Sequence, residues 1–428
     1  MTTSSSLRLR ISWSLVWLLC LAGLNHLNPT MAANHHWRGP HQNGHFPDGD
    51  FSGFLDDEHL LWKEPLPGPG TSTPLVVEDL ILITYAKEGT NTVAAFSIDG
   101  DLKWTAQCGT ETPGRHRNGS GSNPSVTSDG KHFFAYFKSG DWVGLDAQGK
   151  TLWKRNLVQE YGEVSLYWDT GTSPLSTTTG VVITRMHEGS SWLASFHPLT
   201  GELQWKVPRD YNTPVEGDHG YSSPILTSLD GQEVILVWGG QHLTCHDPAN
   251  GEVIWECGGF NPDEKPYWPA VASPMQIQNK VIVAFGRADK RQPRLHGIGL
   301  RGMGDVTATQ HLWENQIHSS FVPSPTTHGS LAILLSDRGT LAGIDPTTGE
   351  SIWTFELPEH RSSYYASPSA GKDKLIAARE DGAVFVVNLA PEVSLFSESH
   401  LGERVIASPV FHGERLILRG EKHLMSFR

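Results

Sequence analysis

The stretch LAGIDPTTGESIW, residues 341–353, decides the fold of this 428-residue chain, because it recurs in altered form along most of the length. A close copy, CHDPANGEVIW, occupies residues 245–255. In both, an Asp-Pro step leads into a turn that ends in glycine, and a tryptophan follows four residues later; in the first, the apolar run LAGI precedes the turn. Glycine or asparagine supplies the positive φ that tight hairpins need. The stretch therefore predicts two antiparallel strands with a tryptophan on the second.

Two sequence markers repeat along the chain. Prolines that follow serine, threonine or asparagine recur at a nearly constant interval through the first six repeats and at a shorter one in the last two. Tryptophans keep the same rhythm, with phenylalanine in the eighth place. A period of about 40 to 50 residues with several short strands is typical of a propeller blade. The prolines are Pro74, Pro124, Pro174, Pro224, Pro274, Pro325, Pro368 and Pro409, and the aromatics are Trp62, Trp104, Trp153, Trp205, Trp255, Trp313, Trp353 and Phe396.

The two ends of the repeat region are complementary. Trp62 has no repeat before it, and the last repeat, from Pro409, has no tryptophan strand of its own. We therefore predict that residues 60–63 complete the last blade as its outer strand, which joins the ends and removes an exposed sheet edge. The predicted fold is all-β: an eight-bladed β-propeller of four-stranded antiparallel blades over residues 59–428, preceded by an N-terminal extension at 34–58.

These motifs resemble the pyrroloquinoline quinone (PQQ)-like β-propeller repeat family, whose repeat runs from Ser-Pro through an apolar run to Thr-Gly and tryptophan. The resemblance covers residues 37–428. The opening WRGP, residues 37–40, and the segment 304–314 are similar to secreted members common in planctomycete bacteria. The family includes quinoprotein dehydrogenases and non-catalytic members such as the barrel-assembly lipoprotein of bacterial outer membranes. The resemblance implies the fold, whereas a fold does not determine an activity.

The resemblance also implies what a quinone enzyme of this family would need. Its dehydrogenases place a vicinal disulfide above the quinone and bind calcium through carboxylate and amide groups. The four cysteines here are not adjacent to one another, so we expect no cofactor, while PQQ with calcium stays open as an alternative. Pairing among the last three of them is also open: Cys20, Cys108, Cys245 and Cys257.

The first 33 residues predict a signal peptide. Arg8 and Arg10 precede the apolar run 11–24, and small residues follow at 31–33. The run is shorter than the ~20 residues that span a bilayer, so we predict a periplasmic or secreted protein without a membrane span after cleavage. The net charge of −13 and the lack of a basic stripe argue against nucleic acid and against anionic lipid as partners. The oligomeric state is open.

Three further patterns match known motifs only superficially. GLDAQGKT at 144–151 has the letters of a phosphate-binding loop, and GIGLRG at 297–302 those of a dinucleotide-binding loop. Both motifs need a strand before and a helix after them, whereas the first spans a predicted hairpin and no helix follows the second. We also interpret His35, His36, His41 and His45 as a loose polar N-terminus and predict no metal site.

The connections between blades differ in length and content. From tryptophan to the next proline they are longer after Trp104, Trp153, Trp205 and Trp255 than after the other repeat aromatics. In a propeller these connections emerge on one face, and long loops on a rigid scaffold commonly carry binding residues. Aromatics beside arginine and histidine suit a sugar or a peptide side chain, although these groups could also pair only with one another. The candidate ligand-binding residues are Arg115, His116, Arg117, Tyr167, Trp168, Tyr267, Trp268, His318, Arg361, Tyr364 and Arg404.

Two functions fit this pattern, and the sequence leaves open whether the chain is an enzyme. The first is an extracytoplasmic, non-catalytic binding or scaffold protein for a protein or glycan ligand on the long-loop face. The alternative is a quinone- or metal-dependent oxidoreductase acting on a sugar or alcohol at the channel mouth, with Asp169, Asp218 and His219 as metal ligands or bases. A hydrolase or lyase using Asp218 and His219 is a third option. The enzyme hypotheses require these side chains to converge in one deep pocket.

Overall fold

Eight sheets form the repeat region of the computed structural model, which describes Met1 and residues 35–428. The predicted signal peptide, apart from Met1, lies outside the described residues. The first named strand is β1 (Leu60–Pro65). Blade 1 contains β2 (Leu75–Val77), β3 (Leu80–Lys87), β4 (Thr90–Ser97) and β5 (Leu102–Thr110), and blade 2 contains β6 (Thr127–Ser128), β7 (Phe133–Tyr136), β8 (Asp141–Leu145) and β9 (Thr151–Asn156). Blade 3 contains β10 (Leu175–Ser176), β11 (Val181–Arg185), β12 (Trp192–Phe196) and β13 (Leu203–Pro208).

The remaining five blades follow in the same order. Blade 4 contains β14 (Ile225–Leu229), β15 (Gln232–Gly239), β16 (His242–His246) and β17 (Val253–Cys257); blade 5, β18 (Met275–Ile277), β19 (Lys280–Arg287), β20 (Gln292–Gly299) and β22 (His311–Asn315), with β21 (Gly304–Asp305) between the last two; blade 6, β23 (Thr326–His328), β24 (Leu331–Leu335), β25 (Thr340–Ile344) and β26 (Ser351–Glu356); blade 7, β27 (Ser369–Ala370), β28 (Lys374–Ala378), β29 (Ala383–Asn388) and β30 (Ser394–His400); and blade 8, β31 (Val410–His412), β32 (Arg415–Arg419) and β33 (His423–Phe427). Helical segments are short: α1 (Leu157–Tyr161), α2 (Thr307–Gln310) and a 3₁₀ turn (Ala288–Lys290).

The ring closes as the repeat count predicts. β1 pairs antiparallel with β33, with Lys63 opposite Met425 and Glu64 opposite Leu424, and the last sheet has the order β1-β33-β32-β31. The N-terminal strand is therefore the outer strand of blade 8. The predictions of an all-β, eight-bladed propeller and of its closure are both confirmed.

Five of the seven repeated tryptophans attach their blade to a turn of the next one. In each, the indole N–H donates to a carbonyl in that turn, and the ring covers the turn's glycine. A side chain at that glycine would enter the ring: a Cβ on Gly251, which has φ +77°, would lie 2.5 Å from the Trp205 ring. The five such N–H bonds are Trp62 to Ile98 (2.9 Å), Trp104 to Ala147 (3.1 Å), Trp153 to Pro198 (2.7 Å), Trp205 to Pro248 (3.0 Å) and Trp313 to Pro346 (3.0 Å).

Because of this contact, two glycines of blade 4 should differ in how much stability is lost when each is replaced by alanine. Gly251 and Gly231 both have positive φ, but a Cβ on Gly231 would meet nothing within 4 Å. We expect Gly231→Ala to lower the free energy of unfolding by about 1 kcal/mol from backbone strain. Gly251→Ala should lower the free energy of unfolding by ~1–3 kcal/mol more than Gly231→Ala does, because the new methyl group overpacks against Trp205. Urea unfolding of both variants measures the difference, and equal losses would contradict the contact.

The long fifth repeat, from Trp255 to Trp313, has a structural cause that the sequence did not indicate. Its extra residues lie along the outer edge of blade 4, where β21 pairs in parallel with β17. Val306, which follows β21, is buried, and its backbone N–H donates to the carbonyl of Glu256 at 2.8 Å. The insertion therefore covers a sheet edge that would otherwise be exposed.

Residues 35–46, here named the plug, correct the interpretation of a loose polar N-terminus. They lie against the inner strands, and their contacts extend from the residue before a repeat proline, at Thr73, to four residues beyond one, at Ser128. His36 and Arg38 are buried, and the His36 Nδ1 atom hydrogen-bonds with Thr127 Oγ1 at 2.8 Å. Backbone and side-chain hydrogen bonds reach blades 1, 2, 4, 6 and 7, through Trp37 Nε1 to Thr73 Oγ1, His35 with Ser128, Leu226 N–H to Gln42 Oε1, Arg38 Nη2 to the carbonyl of Pro325, and Phe46 N–H to the carbonyl of Ala370.

Candidate functional site

A closed ring of hydroxyl groups lines the central channel. In seven blades the hydroxyl residue precedes the repeat proline; in blade 2 Asn123 holds that position, and Ser125, just after the proline, provides the hydroxyl. Each oxygen accepts the backbone N–H of the ring residue in the preceding blade, at 2.8–3.1 Å, and Ser408 N–H donates to Thr73 Oγ1 to close the circle. The members are Thr73, Ser125, Ser173, Ser223, Ser273, Ser324, Ser367 and Ser408.

A cavity of about 780 Å³ lies on the long-loop side of this ring and includes all eight of its residues in its lining. The inter-blade loops form its walls. Trp37 of the plug also lines it, and its indole N–H donates to Thr73 Oγ1 at 3.1 Å. The plug therefore forms part of the floor, and the cavity has the size typical of a ligand pocket.

One wall of the cavity is aromatic. The His116 and Trp168 rings meet edge-on at 5.1 Å between centroids, and Tyr167 contacts Trp168 at 4.7 Å. Tyr365 lies 6.2 Å from His116, so loops of blades 2, 3 and 7 contribute to one cluster. Tyr167 and Trp168 remain exposed over 58% and 42% of their surface, and Tyr267 over 51%. Large aromatic faces are thus available to a ligand.

The loop before blade 2 extends past blades 1 and 8 to reach blade 7. The buried carboxylate of Glu380 in blade 7 accepts hydrogen bonds from Arg117 Nη2 (3.1 Å) and Asn118 Nδ2 (2.6 Å). Arg404 Nη1 donates to Asn118 Oδ1 at 2.9 Å. Arg117 and Arg404, both candidate ligand-binding residues, therefore hold this loop in place and do not line the cavity.

The three candidate catalytic residues are not brought together. Asp169 lines the cavity, but its carboxylate already accepts Lys138 Nζ at 2.6 Å and the backbone N–H of Arg115 at 2.9 Å. Asp218 lines a separate cavity of about 40 Å³. His219 is buried, and its Nδ1 atom has no hydrogen-bond partner among residues 35–428. No convergent acid–base set is formed by these three side chains.

Sequence reasoning placed several residues at the site that the structure places elsewhere. His116, Tyr167, Trp168 and Tyr267 line the cavity. Trp268 is only 3% exposed and packs on Phe285, with centroids 5.5 Å apart. The others outside the lining are Arg115, whose backbone binds Asp169, Arg361, whose carbonyl accepts Arg338 Nη1, the half-buried His318 and the fully buried Tyr364.

The cavity also contains lining residues that the sequence analysis did not select. Asp337 is buried in the wall, and its carboxylate accepts the backbone N–H groups of Phe321 (2.7 Å) and Val322 (3.1 Å). Burial nevertheless raises the pKa of Asp337 to about 6. The hydroxyl ring was likewise missed, although its signal was present: the residue before the repeat proline recurs as serine or threonine.

The residues present do not fit a quinone with its calcium ion. Calcium takes six to eight oxygen ligands, and within residues 35–428 no three acidic, histidine or cysteine side chains are grouped closely enough to hold a metal ion. The described cysteines, Cys108, Cys245 and Cys257, are buried and free, so no vicinal disulfide is available. In the same residues, no helix is both long and apolar enough to cross a membrane.

The repeats, the eight sheets and the inter-blade tryptophans together define a β-propeller of the PQQ-like repeat class. A profile of the family described as outer membrane protein assembly factor BamB matches residues 55–256 and 305–420. Because these ranges cover most of the chain, the protein belongs to this family.

Solved structures share the fold at low sequence identity. BamB from Moraxella catarrhalis has 14% identity and a TM-score of 0.62, with 86% of this chain and 97% of that one covered. A europium-containing methanol dehydrogenase has 12% identity and a TM-score of 0.65, with coverages of 89% and 88%. The quinohemoprotein alcohol dehydrogenase from Comamonas testosteroni has 13% identity and a TM-score of 0.64, with 88% of this chain and 78% of that one covered. No curated protein sequence matches the chain.

Proposed function

We propose that this protein is an extracytoplasmic, non-catalytic binding or scaffold propeller that takes a protein segment or a glycan into the cavity over its channel. The observation that carries the proposal is the cavity itself, in which exposed Tyr167, Trp168 and Tyr267 face a space of about 780 Å³. Aromatic side chains with one free face are the usual contacts for sugars and for peptide side chains.

Several charged groups at the cavity are already engaged by the protein and so support binding better than chemistry. Asp169 is neutralised by Lys138, and Arg287 Nη2 contacts Asp289 Oδ2 at 2.7 Å. Glu380 is occupied by the loop that it holds. Carboxylates that are already paired with protein donors can fix the position of the loops and of a ligand. A general base, in contrast, needs a free acceptor within reach of the substrate. The predicted signal peptide supports an extracytoplasmic location.

The oxidoreductase alternative is supported by the fold likeness to the two dehydrogenases. That likeness at 12–13% identity concerns the fold, and related non-catalytic propellers share it. Against the alternative stands the poor fit of the residues to a quinone and calcium. We therefore keep the binding function as the conclusion.

Replacing Trp168 provides the direct test. We expect Trp168→Ala to weaken binding of a ligand found by glycan-array or peptide-library screening at least tenfold, because a central exposed aromatic commonly contributes about 2 kcal/mol. The melting temperature should change little, since the side chain is partly exposed. The measurement is the Kd by isothermal titration.

A matched control is Phe54→Ala, which removes another exposed aromatic, one outside the cavity lining, and should leave the Kd unchanged. Equal losses in both variants, or undiminished binding by Trp168→Ala, would contradict this site. A rise in melting temperature on adding PQQ with calcium would favour the oxidoreductase instead, because a ligand selective for the folded state stabilises it.

A further inference from the structure

We propose that the floor of the cavity binds a carboxylate group, so that the natural ligand carries one negative charge at the end that enters the channel. This inference deepens the proposed function and rests on it for the rest of the ligand. Its basis is the hydroxyl ring together with Arg38, which lies next to Trp37 of the floor.

The ring presents hydrogen-bond donors that have no acceptor. A serine or threonine hydroxyl can accept two bonds and donate one. All eight ring oxygens accept a backbone N–H, and Thr73 also accepts the Trp37 indole N–H. None of the eight hydroxyls donates to an acceptor within the described part of the chain. The floor therefore offers O–H groups to a ligand, and each of its oxygens already accepts at least one hydrogen bond from the protein.

Arg38 adds a positive charge beneath this floor. Its guanidinium lies 5.5 Å from the centre of the Trp37 ring, and its Nη2 atom donates to the carbonyl of Pro325, the residue after Ser324 of the ring. Its Nη1 atom is buried without a hydrogen-bond partner among residues 35–428. Burial lowers the pKa of Arg38 to about 9, with no acidic group offsetting it. An unpaired buried charge costs several kcal/mol, which a nearby anion would offset.

Other buried arginines have more neutral acceptors around the guanidinium than Arg38 has. Arg209 donates to Thr244 Oγ1 and to the carbonyls of Gly239, Val237 and His242. Arg419 donates to Ser72 and to the carbonyl of Thr84. Both donate at least three hydrogen bonds to neutral acceptors, although Nε of Arg419 is buried without a partner among residues 35–428. Arg38 has one such acceptor, so its binding capacity is mostly unused.

The composition of the site specifies the charge of the ligand. One buried cation matches a monoanion, and a carboxylate accepts several O–H and N–H donors at once. The aromatic wall at Tyr167 and Trp168 would then contact the body of the ligand. An acidic sugar and the C-terminus of a peptide share this chemistry.

Two matched pairs of probes test the proposal and distinguish its sources. D-Glucuronate is compared with D-glucuronamide, and N-acetylphenylalanine with its amide, by isothermal titration at pH 7.5 and constant ionic strength. We expect the acid of at least one pair to bind tenfold or more tightly than its amide. In Arg38→Met the acid and amide should bind alike, whereas Arg38→Lys should retain the preference for the acid. Circular dichroism and melting temperature verify that both variants fold.

Bromide in crystals of the unchanged protein gives a second readout, for which we expect an anomalous peak at the hydroxyl ring. Equal binding of acid and amide, or an acid preference that survives in Arg38→Met, would overturn the carboxylate site; the proposed function would still stand if the amides bind. A bromide peak without binding of any organic probe would instead leave the anion site standing and count against the proposed function. Absence of the peak together with equal binding would overturn the site.

Discussion

A chain shortened through Pro65 should lose its cooperative unfolding transition. The deletion removes β1, so it exposes the edge of β33 and deletes Trp62, which donates to the carbonyl of Ile98 at 2.9 Å. Leu60 and Trp62 also pack against the core shared by blades 7, 8 and 1. An open ring with an unpaired edge strand is prone to aggregate. Urea titration followed by circular dichroism, with size-exclusion chromatography, measures the outcome.

The matched control is a chain shortened only through Glu58. It keeps β1 but loses the plug and the buried side chains of Phe46, Phe51 and Leu55. We expect a stability lower by several kcal/mol, because each large buried side chain contributes roughly 2–5 kcal/mol, together with a retained cooperative transition. If both truncated chains unfold with the same midpoint and slope, pairing of the two ends is not what holds the ring closed.

Mild acid should destabilise the protein strongly. Burial lowers the pKa of His36 to about 3, that of His246 to about 4 and that of His296 to about 3. His296 Nδ1 also lies 2.9 Å from His311 Nε2, which opposes a second proton. Unfolded histidine binds a proton near pH 6.5, so below that pH the unfolded chain holds protons that the folded chain excludes. Stability present above about pH 6.5 is therefore lost as the pH falls.

One buried group acts in the opposite direction. The raised pKa of Asp337, about 6, means that the folded state takes up that proton first, which adds stability between about pH 6 and 4. The three histidines lower the free energy of unfolding as the pH falls, and the one aspartate raises it. The net result is a loss of roughly 3 kcal/mol in the free energy of unfolding per pH unit between about pH 6 and 4.5. Urea midpoints at several pH values measure this slope.

Two histidine variants separate this cause from general acid sensitivity. His246→Gln removes one of the three titrations and should reduce the slope by about 1.4 kcal/mol per pH unit, whatever its effect on the midpoint at pH 7. His400→Gln changes an exposed histidine and should leave the slope as it is. A midpoint that is flat between pH 6.5 and 4.5 would refute the account.

The periodic part of the structure could be predicted from the sequence, because the same residue types recur at equivalent positions of each blade. Pro and Trp spacing gave the number of blades, and the unmatched Trp62 gave the closure. The plug could not be predicted in this way. Residues 35–46 have no periodicity, and their partners lie in five blades far apart in the sequence. Only the assembled channel shows that this polar segment is buried.

At the site, the burial of individual side chains could not be predicted from the sequence either. Tyr167-Trp168 and Tyr267-Trp268 are identical dipeptides in equivalent long loops, yet Trp168 is 42% exposed and Trp268 is 3% exposed. The backbone of Tyr267 has φ +64°, and Trp268 lies in the interior between Lys265 and Arg294. Composition alone could not distinguish these two conformations. Likewise, nothing near Asp169 in the sequence indicates that Lys138 neutralises it.

The hydroxyl ring has a consequence for the electrostatics of the channel axis. Its eight N–H bonds all point in the same rotational sense, from each blade to the next, with Ser408 to Thr73 completing the circuit. The components of these dipoles that lie in the plane of the ring run head to tail around a circle, so they cancel one another. The eight ring hydroxyls remain as dipoles whose direction is not fixed by these bonds, and an occupant could reverse them simply by turning the O–H groups.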